Sequence, residues 1–71
     1  MLSDIALKNM LTILNDESAE VETRLNVREE LEAGLEEINQ MLISRKMFFS
    51  LMFDKENGYT LFMNDLREVN A

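Results

Sequence analysis

Apolar residues recur at helical spacing near the start of the chain. Four of them follow the i, i+3, i+4, i+7 spacing that places side chains on one helical face: Leu7, Met10, Leu11 and Leu14. Ser3 precedes them as a favourable N-cap, and Asp4 lies where the positive end of the helix dipole favours an acid. The pattern stops at Asn15, so it predicts a first helix over Ser3–Asn15.

A longer apolar stripe follows, with a mean step close to 3.5 residues, which is typical of a helix that packs along a coiled-coil-like seam. Its members are Val21, Leu25, Leu31, Leu35, Ile38 and Leu42. Arg28 also occupies a stripe position, and we expect it to reach from the stripe's edge to water or to Glu32. Ser18 is a plausible N-cap, and two basic residues suit the C-terminal end. The stripe predicts a long helix over Ser18–Lys46.

The last third of the chain supports two interpretations. Met47–Phe53 and Tyr59–Met63 are apolar runs, and the Asn57 and Gly58 pair between them is a strong hairpin signal because such a turn needs positive φ. Alternatively, the long helix continues to about Glu56 and a short third helix completes an all-α fold. We favour the hairpin, because a helix over the first run would be apolar nearly all round.

The predicted fold is therefore mainly α, of class α+β: a short N-terminal helix antiparallel to a long second helix, closed by a C-terminal β-hairpin. The helices would measure roughly 20 and 43 Å at 1.5 Å per residue, so the first cannot cover the second. Residues 1–71 form one small domain, and a lone core in so short a chain is marginal. We expect a two-fold homodimer to complete it.

Charge is concentrated in one part of the chain. Nine of the fourteen acidic residues lie between Asp16 and Glu37, against only Arg24 and Arg28, so this window carries the whole net charge of −7. Such a charge argues against direct nucleic-acid binding and against anionic membrane surfaces. The apolar run from Met41 to Phe53 is too short to span a bilayer, which needs about 20 residues. We therefore expect a soluble, cytoplasmic protein.

The residue types exclude several kinds of chemistry. Without histidine or cysteine, the chain lacks the nucleophile and base pairs of Ser–His and Cys–His enzymes, the ligands of a structural zinc site and any disulfide. The two glycines lie far apart, so no phosphate-binding loop exists. We predict a non-enzymatic protein with no catalytic residues, cofactor or metal.

Two sets of side chains are candidates for binding. Acidic residues that line one face of the long helix would meet a basic partner, although their simplest role is solubility: Glu22, Glu29, Glu32 and Glu36. Apolar residues that continue toward the hairpin would serve self-association or partner binding, although such stripes are more often core: Leu35, Ile38, Leu42, Phe48, Phe49 and Met52.

The function predicted from these features is that of a small acidic regulator or inhibitor, which acts by binding another protein. Small acidic chains without cysteine are common among phage and bacterial accessory proteins. Two alternatives belong to other classes: an inhibitor that mimics nucleic acid and occupies a basic nucleic-acid-handling protein, and a structural or assembly-chaperone subunit of a larger complex. The sequence does not identify the partner.

Overall fold

The computed structural model describes residues 3–67. Helix α1 spans Asp4–Leu14 and helix α2 spans Val21–Leu42; one 3₁₀ turn, Ile43–Arg45, extends the second helix. Strands β1, Met47–Asp54, and β2, Gly58–Asp65, form a two-stranded antiparallel sheet. This confirms the predicted α+β fold of a short helix, a long helix and a C-terminal hairpin, and it excludes the all-α alternative.

The ends of α1 were predicted correctly. The Ser3 hydroxyl accepts a hydrogen bond from the Ala6 N–H at 3.2 Å, which satisfies one of the unpaired donors of the first turn. At the other end, the N–H of Asn15 donates to the Leu11 carbonyl at 3.0 Å, and Asn15 is the C-cap. Local capping chemistry is therefore enough to define this helix.

The predicted start of α2 is wrong. Ser18 is not its N-cap, because the Ser18 N–H and hydroxyl both donate to Asp16 Oδ1, at 2.9 and 2.5 Å. These bonds hold Ser18 in the turn between the helices. Aspartate and serine side chains that bond to nearby groups in this way stabilise turns at the expense of helix. The N-cap is instead Glu20, two residues later, whose side chain makes no capping bond, and the helix begins at Val21.

The end of the long helical segment lies close to its predicted position. Lys46 adopts a left-handed conformation, with φ 58°, directly after the 3₁₀ turn. A residue in that conformation stops a helix and redirects the chain. The Lys46 carbonyl then accepts a hydrogen bond from the Leu66 N–H at 2.8 Å, just beyond the open end of the hairpin.

The hairpin is closed by a short turn in which Asp54 pairs with Gly58. The Asp54 carboxylate accepts hydrogen bonds from the Glu56 N–H at 3.0 Å and the Asn57 amide at 3.1 Å. Gly58 has a φ of 73°, which supplies the positive φ that the sequence indicated. Alternation along β1 puts Phe49 and the other odd-numbered residues on one face.

The two helices cover the odd-numbered face of the sheet. Three leucines are buried at their junction, Leu14, Leu31 and Leu35, and Leu31 is completely inaccessible to solvent. Partly buried residues from every element surround them: Leu7, Met10, Leu11, Val27, Phe49, Leu51, Tyr59 and Leu61. The core is therefore a small cluster built from both helices and one sheet face.

The front of the predicted α2 stripe does not face this core. Val21 and Leu25 are 64% and 54% exposed, whereas Arg24 and Val27 are partly buried. At about 3.6 residues per turn, Leu25 and Val21 lie about 120° and about 80° around the helix from Leu31, so a stripe centred on Leu31 leaves the core toward the N-terminus. The bare end of the stripe is its first two turns, whereas Leu35, Ile38 and Leu42, the α2 residues predicted for self-association, lie at its other end. Nowhere in residues 3–67 does a helix combine the length and hydropathy of a membrane span.

Candidate functional site

An open groove of about 520 Å³ runs between α2 and the outer edge of β1. It brings acidic and apolar side chains together, and its lining residues are Glu32, Leu35, Glu36, Asn39, Gln40, Ile43, Phe49 and Leu51. Four of these were nominated from the sequence: Glu32 and Glu36 among the acids, Leu35 and Phe49 among the apolar residues. The groove is the place where the two predicted sets meet.

Asn39 fixes the distance between the two walls of this groove. Its Oδ1 accepts a hydrogen bond from the Phe49 N–H at 2.7 Å, and its Nδ2 donates to the Phe49 carbonyl at 2.9 Å. The amide thus pairs with one residue of β1 as a neighbouring strand would. Both groups are partly buried, so the pair ties α2 to the sheet at one point.

The Asn39 bond also shows which backbone groups of β1 point outward. The backbone N–H and C=O of Phe49 bond to Asn39 and therefore point away from β2. In an antiparallel pair every second residue of a strand points the same way, so the N–H and C=O groups of Leu51 and Phe53 also point away from β2. No side chain in residues 3–67 donates to or accepts from the backbone of these two residues. The groove is therefore bordered by an open strand edge, which can pair with an extended chain.

The opposite edge of the sheet is held at one residue in the same manner by Asn15, the C-cap of α1, and the outward backbone groups of Leu61 and Met63 likewise have no side-chain partner among residues 3–67. Asn15 Oδ1 accepts from the Tyr59 N–H at 2.6 Å, and Asn15 Nδ2 donates to the Tyr59 carbonyl at 3.0 Å. The cavity beside this edge is larger, about 750 Å³, but Asp16 is its only charged lining residue. None of the candidate binding residues predicted from the sequence lines this cavity.

The four nominated acids are all exposed, but they divide into two pairs. Glu32 and Glu36 line the groove, whereas Glu22 and Glu29 do not. Glu32 Oε1 accepts a hydrogen bond from Arg28 Nε at 3.2 Å, which confirms the expected position of Arg28 at the edge of the stripe. The groove therefore keeps one acidic side chain without an ion pair among the described residues, Glu36.

The six nominated apolar residues also separate by location. Leu35 belongs to the buried core and Phe49 packs against it, so neither forms an open contact surface of its own. Ile38 and Leu42 are half-buried along α2. Phe48 and Met52 lie on the even-numbered face of the sheet, which the helices do not cover. The six apolar residues therefore belong to three different parts of the fold and do not form one surface.

The sequence analysis did not identify Asn39, Gln40 or Ile43 as groove residues. Asn39 follows Ile38 directly and stands on the half-buried flank of α2. A polar amide at such a position needs a partner, because burying it unpaired is costly. The sequence could therefore have indicated that Asn39 needs a hydrogen-bond partner, but not that this partner is the backbone of a strand residue ten positions later.

Titration shifts occur at two carboxyl groups outside the groove, those of exposed Asp16 and partly buried Asp65. Hydrogen bonds from the Ser18 hydroxyl and N–H hold the pKa of Asp16 below its ordinary value. Hydrogen bonds from the Arg67 side chain and N–H lower the pKa of Asp65 to about 2. Within residues 3–67, no three acidic side chains are grouped so as to hold a metal ion. No known protein family, curated protein or solved structure matches the chain.

Removing the Asn39 amide is expected to loosen α2 from the sheet. In Asn39→Ala, the Phe49 N–H and C=O lose both partners in a partly buried position, at a cost of about 1–3 kcal/mol. Urea unfolding followed by circular dichroism measures this loss. Gln40→Ala, a change at the exposed neighbouring residue, should cost less than about 0.5 kcal/mol. Equal losses in the two variants would contradict a structural role for the Asn39 bonds.

Proposed function

We propose that the chain is a non-enzymatic interaction protein, which regulates or inhibits another protein by binding a basic segment of it in the groove between α2 and β1. One observation carries the proposal: carboxylates, apolar side chains and an open strand edge border the same groove. Each supplies a different part of peptide recognition. The strand edge offers hydrogen bonds, the apolar floor offers burial, and the carboxylates select positive charge.

The geometry favours an extended partner segment in which basic and apolar residues alternate. A strand paired with the outward groups of Leu51 would turn alternate side chains to opposite sides. One set would lie over the apolar side chain of Ile43, which lines the groove and is 57% exposed, and lysine or arginine side chains would reach Glu32 and Glu36 on the helix wall. The window from Asp16 to Glu37, with its net charge of −7, would also speed the encounter with a basic partner.

The experiment uses a fluorescent peptide of alternating lysine and valine, whose binding is followed by anisotropy. Converting Glu32 and Glu36 together to glutamine is expected to weaken binding about tenfold, because each charge at the rim of an interface contributes roughly 0.5–1 kcal/mol. The matched control converts Glu22 and Glu29, which changes the net charge equally outside the groove. The control should lose no more than about threefold.

Other outcomes would redirect or reject the proposal. If both double variants weaken binding equally, the whole acidic face acts as a unit, which favours the nucleic-acid-mimic alternative. If the alternating peptide binds no better than one of glutamate and valine, the groove does not select basic segments. Binding should also weaken as salt rises from 50 to 500 mM, since exposed charges are screened.

A further inference from the structure

We propose that the even-numbered face of the sheet, the outer face, is covered by a second copy of this chain, so that two hairpins pack back to back with their strands antiparallel. The helices lie against the opposite side of the sheet, and none of residues 3–67 covers this face. The proposal is independent of the groove, because it uses different residues and a different chemistry.

The outer face is apolar apart from three polar side chains, those of Ser50, Thr60 and Asn64. Its large side chains are Phe48, Met52 and Phe62; Met52 is half exposed and Phe62 is 57% exposed. Between them, Asn64 Nδ2 donates to Ser50 Oγ at 2.9 Å. Because these two polar groups already bond each other, covering the face leaves neither unpaired. No charged residue lies on it between its two ends.

The chain exposes more surface than a self-contained monomer of its size. The accessible surface is 5575 Å², whereas a self-contained monomer of 8.3 kDa exposes about 4,600 Å². The excess, roughly 1,000 Å², is a property of the whole chain, and it is large enough to include the 800 Å² or so that each partner contributes to a stable interface. A core of three buried leucines leaves the chain short of apolar burial, and a second sheet would supply it.

Charge favours a copy in antiparallel orientation. The turn end of the hairpin carries Asp54 and Glu56 against Lys55, and the open end carries Arg45 and Lys46. The nearby Asp65 does not cancel that positive charge, because it pairs with Arg67 at 2.7 Å. Packing two hairpins antiparallel places each acidic turn over the partner's basic end. It also leaves both acidic α2 faces pointing outward, as far apart as the dimer allows.

Sedimentation equilibrium across micromolar to millimolar concentrations tests the proposal directly. The mass is expected to rise from 8.3 kDa to twice that value. Phe62→Asp should raise the dissociation constant at least a hundredfold, because it buries a charge in the interface. Ile5→Asp is the matched control: Ile5 is 72% exposed but lies on α1, so its loss should change the constant less than threefold.

A second variant distinguishes loss of the dimer from unfolding, which Phe62→Asp could also cause. Thr60→Glu adds a charge to the same face at an exposed polar position and removes no apolar packing. It should also dissociate the dimer while circular dichroism stays unchanged. A wild-type mass that stays at 8.3 kDa up to 1 mM overturns the proposal. So does a Thr60→Glu protein that is folded and still dimeric.

The antiparallel orientation has its own test, by charge exchange. Arg45→Glu and Glu56→Lys each create like-charge contacts at both ends of a homodimer, so each should dimerise about tenfold more weakly than wild type. Mixed in equal amounts, they form a heterodimer in which both ends are again complementary, and the mass should return to the dimer value. If the mixture dissociates as readily as the separate proteins, the antiparallel orientation is wrong.

Discussion

Replacing Leu31 with alanine is expected to unfold a large fraction of the chain at room temperature. Leu31 is the one side chain in the described region that is completely buried, and it lies where both helices meet the sheet. Large-to-small changes at such sites cost about 3–5 kcal/mol, through lost burial and the cavity left behind. A domain this small has only about 3–5 kcal/mol of stability from a single core. One substitution therefore removes most of the stability.

The matched control is Leu25→Ala on the same helix. The sequence pattern places Leu25 and Leu31 in one stripe, but Leu25 is more than half exposed. Its truncation should cost less than about 1 kcal/mol, because little apolar surface returns to water. Urea unfolding monitored by circular dichroism gives both values. Similar losses of stability for the two leucines would mean that Leu25 packs in the core with Leu31, as the sequence pattern alone predicts.

Local signals in the sequence were sufficient for most of the fold. The Ser3 cap and the spacing of four apolar residues defined α1 to the residue, and Asn57 with Gly58 correctly indicated a hairpin over a continued helix. The start of α2 could not be predicted because Ser18 has two plausible roles. It can cap a helix, or it can bond a preceding aspartate, and only the bond to Asp16 decides between them.

The groove was only partly predictable, for a different reason. Periodicity places Glu32 and Glu36 on the exposed side of α2, but it cannot show that β1 returns beside them. The position of β1 beside α2 is held by the Asn39 bonds to Phe49 and by the packing of Phe49 and Leu51 against the core. For the same reason, the sequence analysis placed Leu35 in one set with Phe48 and Met52. In the fold, Leu35 lies in the core and the other two lie on the even-numbered face of the sheet.

The two proposed surfaces differ in their response to salt. The groove uses carboxylates to attract a basic segment, so added salt should weaken its binding. The outer face joins two copies mainly through apolar burial, and salt screens both the repulsion between their net charges of −7 and the attraction between their hairpin ends, so added salt should change the dimer much less than it weakens groove binding. A protein that uses both surfaces would present two grooves from one assembly, and a partner with repeated basic segments would gain avidity.

Replacing Gly58 with alanine is expected to destabilise the fold by about 2–4 kcal/mol, through two separate effects. The φ of 73° costs an L side chain about 1 kcal/mol or more. In addition, an alanine Cβ would overlap Asn15 Oδ1 and lie 3.1 Å from Asn15 Cγ. Asn15 cannot simply move away, because its amide is held by two hydrogen bonds to Tyr59, and losing them costs a further 1–3 kcal/mol or so.

A double-mutant cycle separates these effects. In an Asn15→Ala background the overlap and the amide bonds are already absent, so Gly58→Ala should cost only the backbone component, about 1 kcal/mol. The coupling between the two positions should then be about 1–3 kcal/mol. Urea unfolding of the four proteins measures it. Strictly additive losses would mean that Asn15 does not hold the β2 edge against α1, and that the turn conformation alone accounts for the glycine.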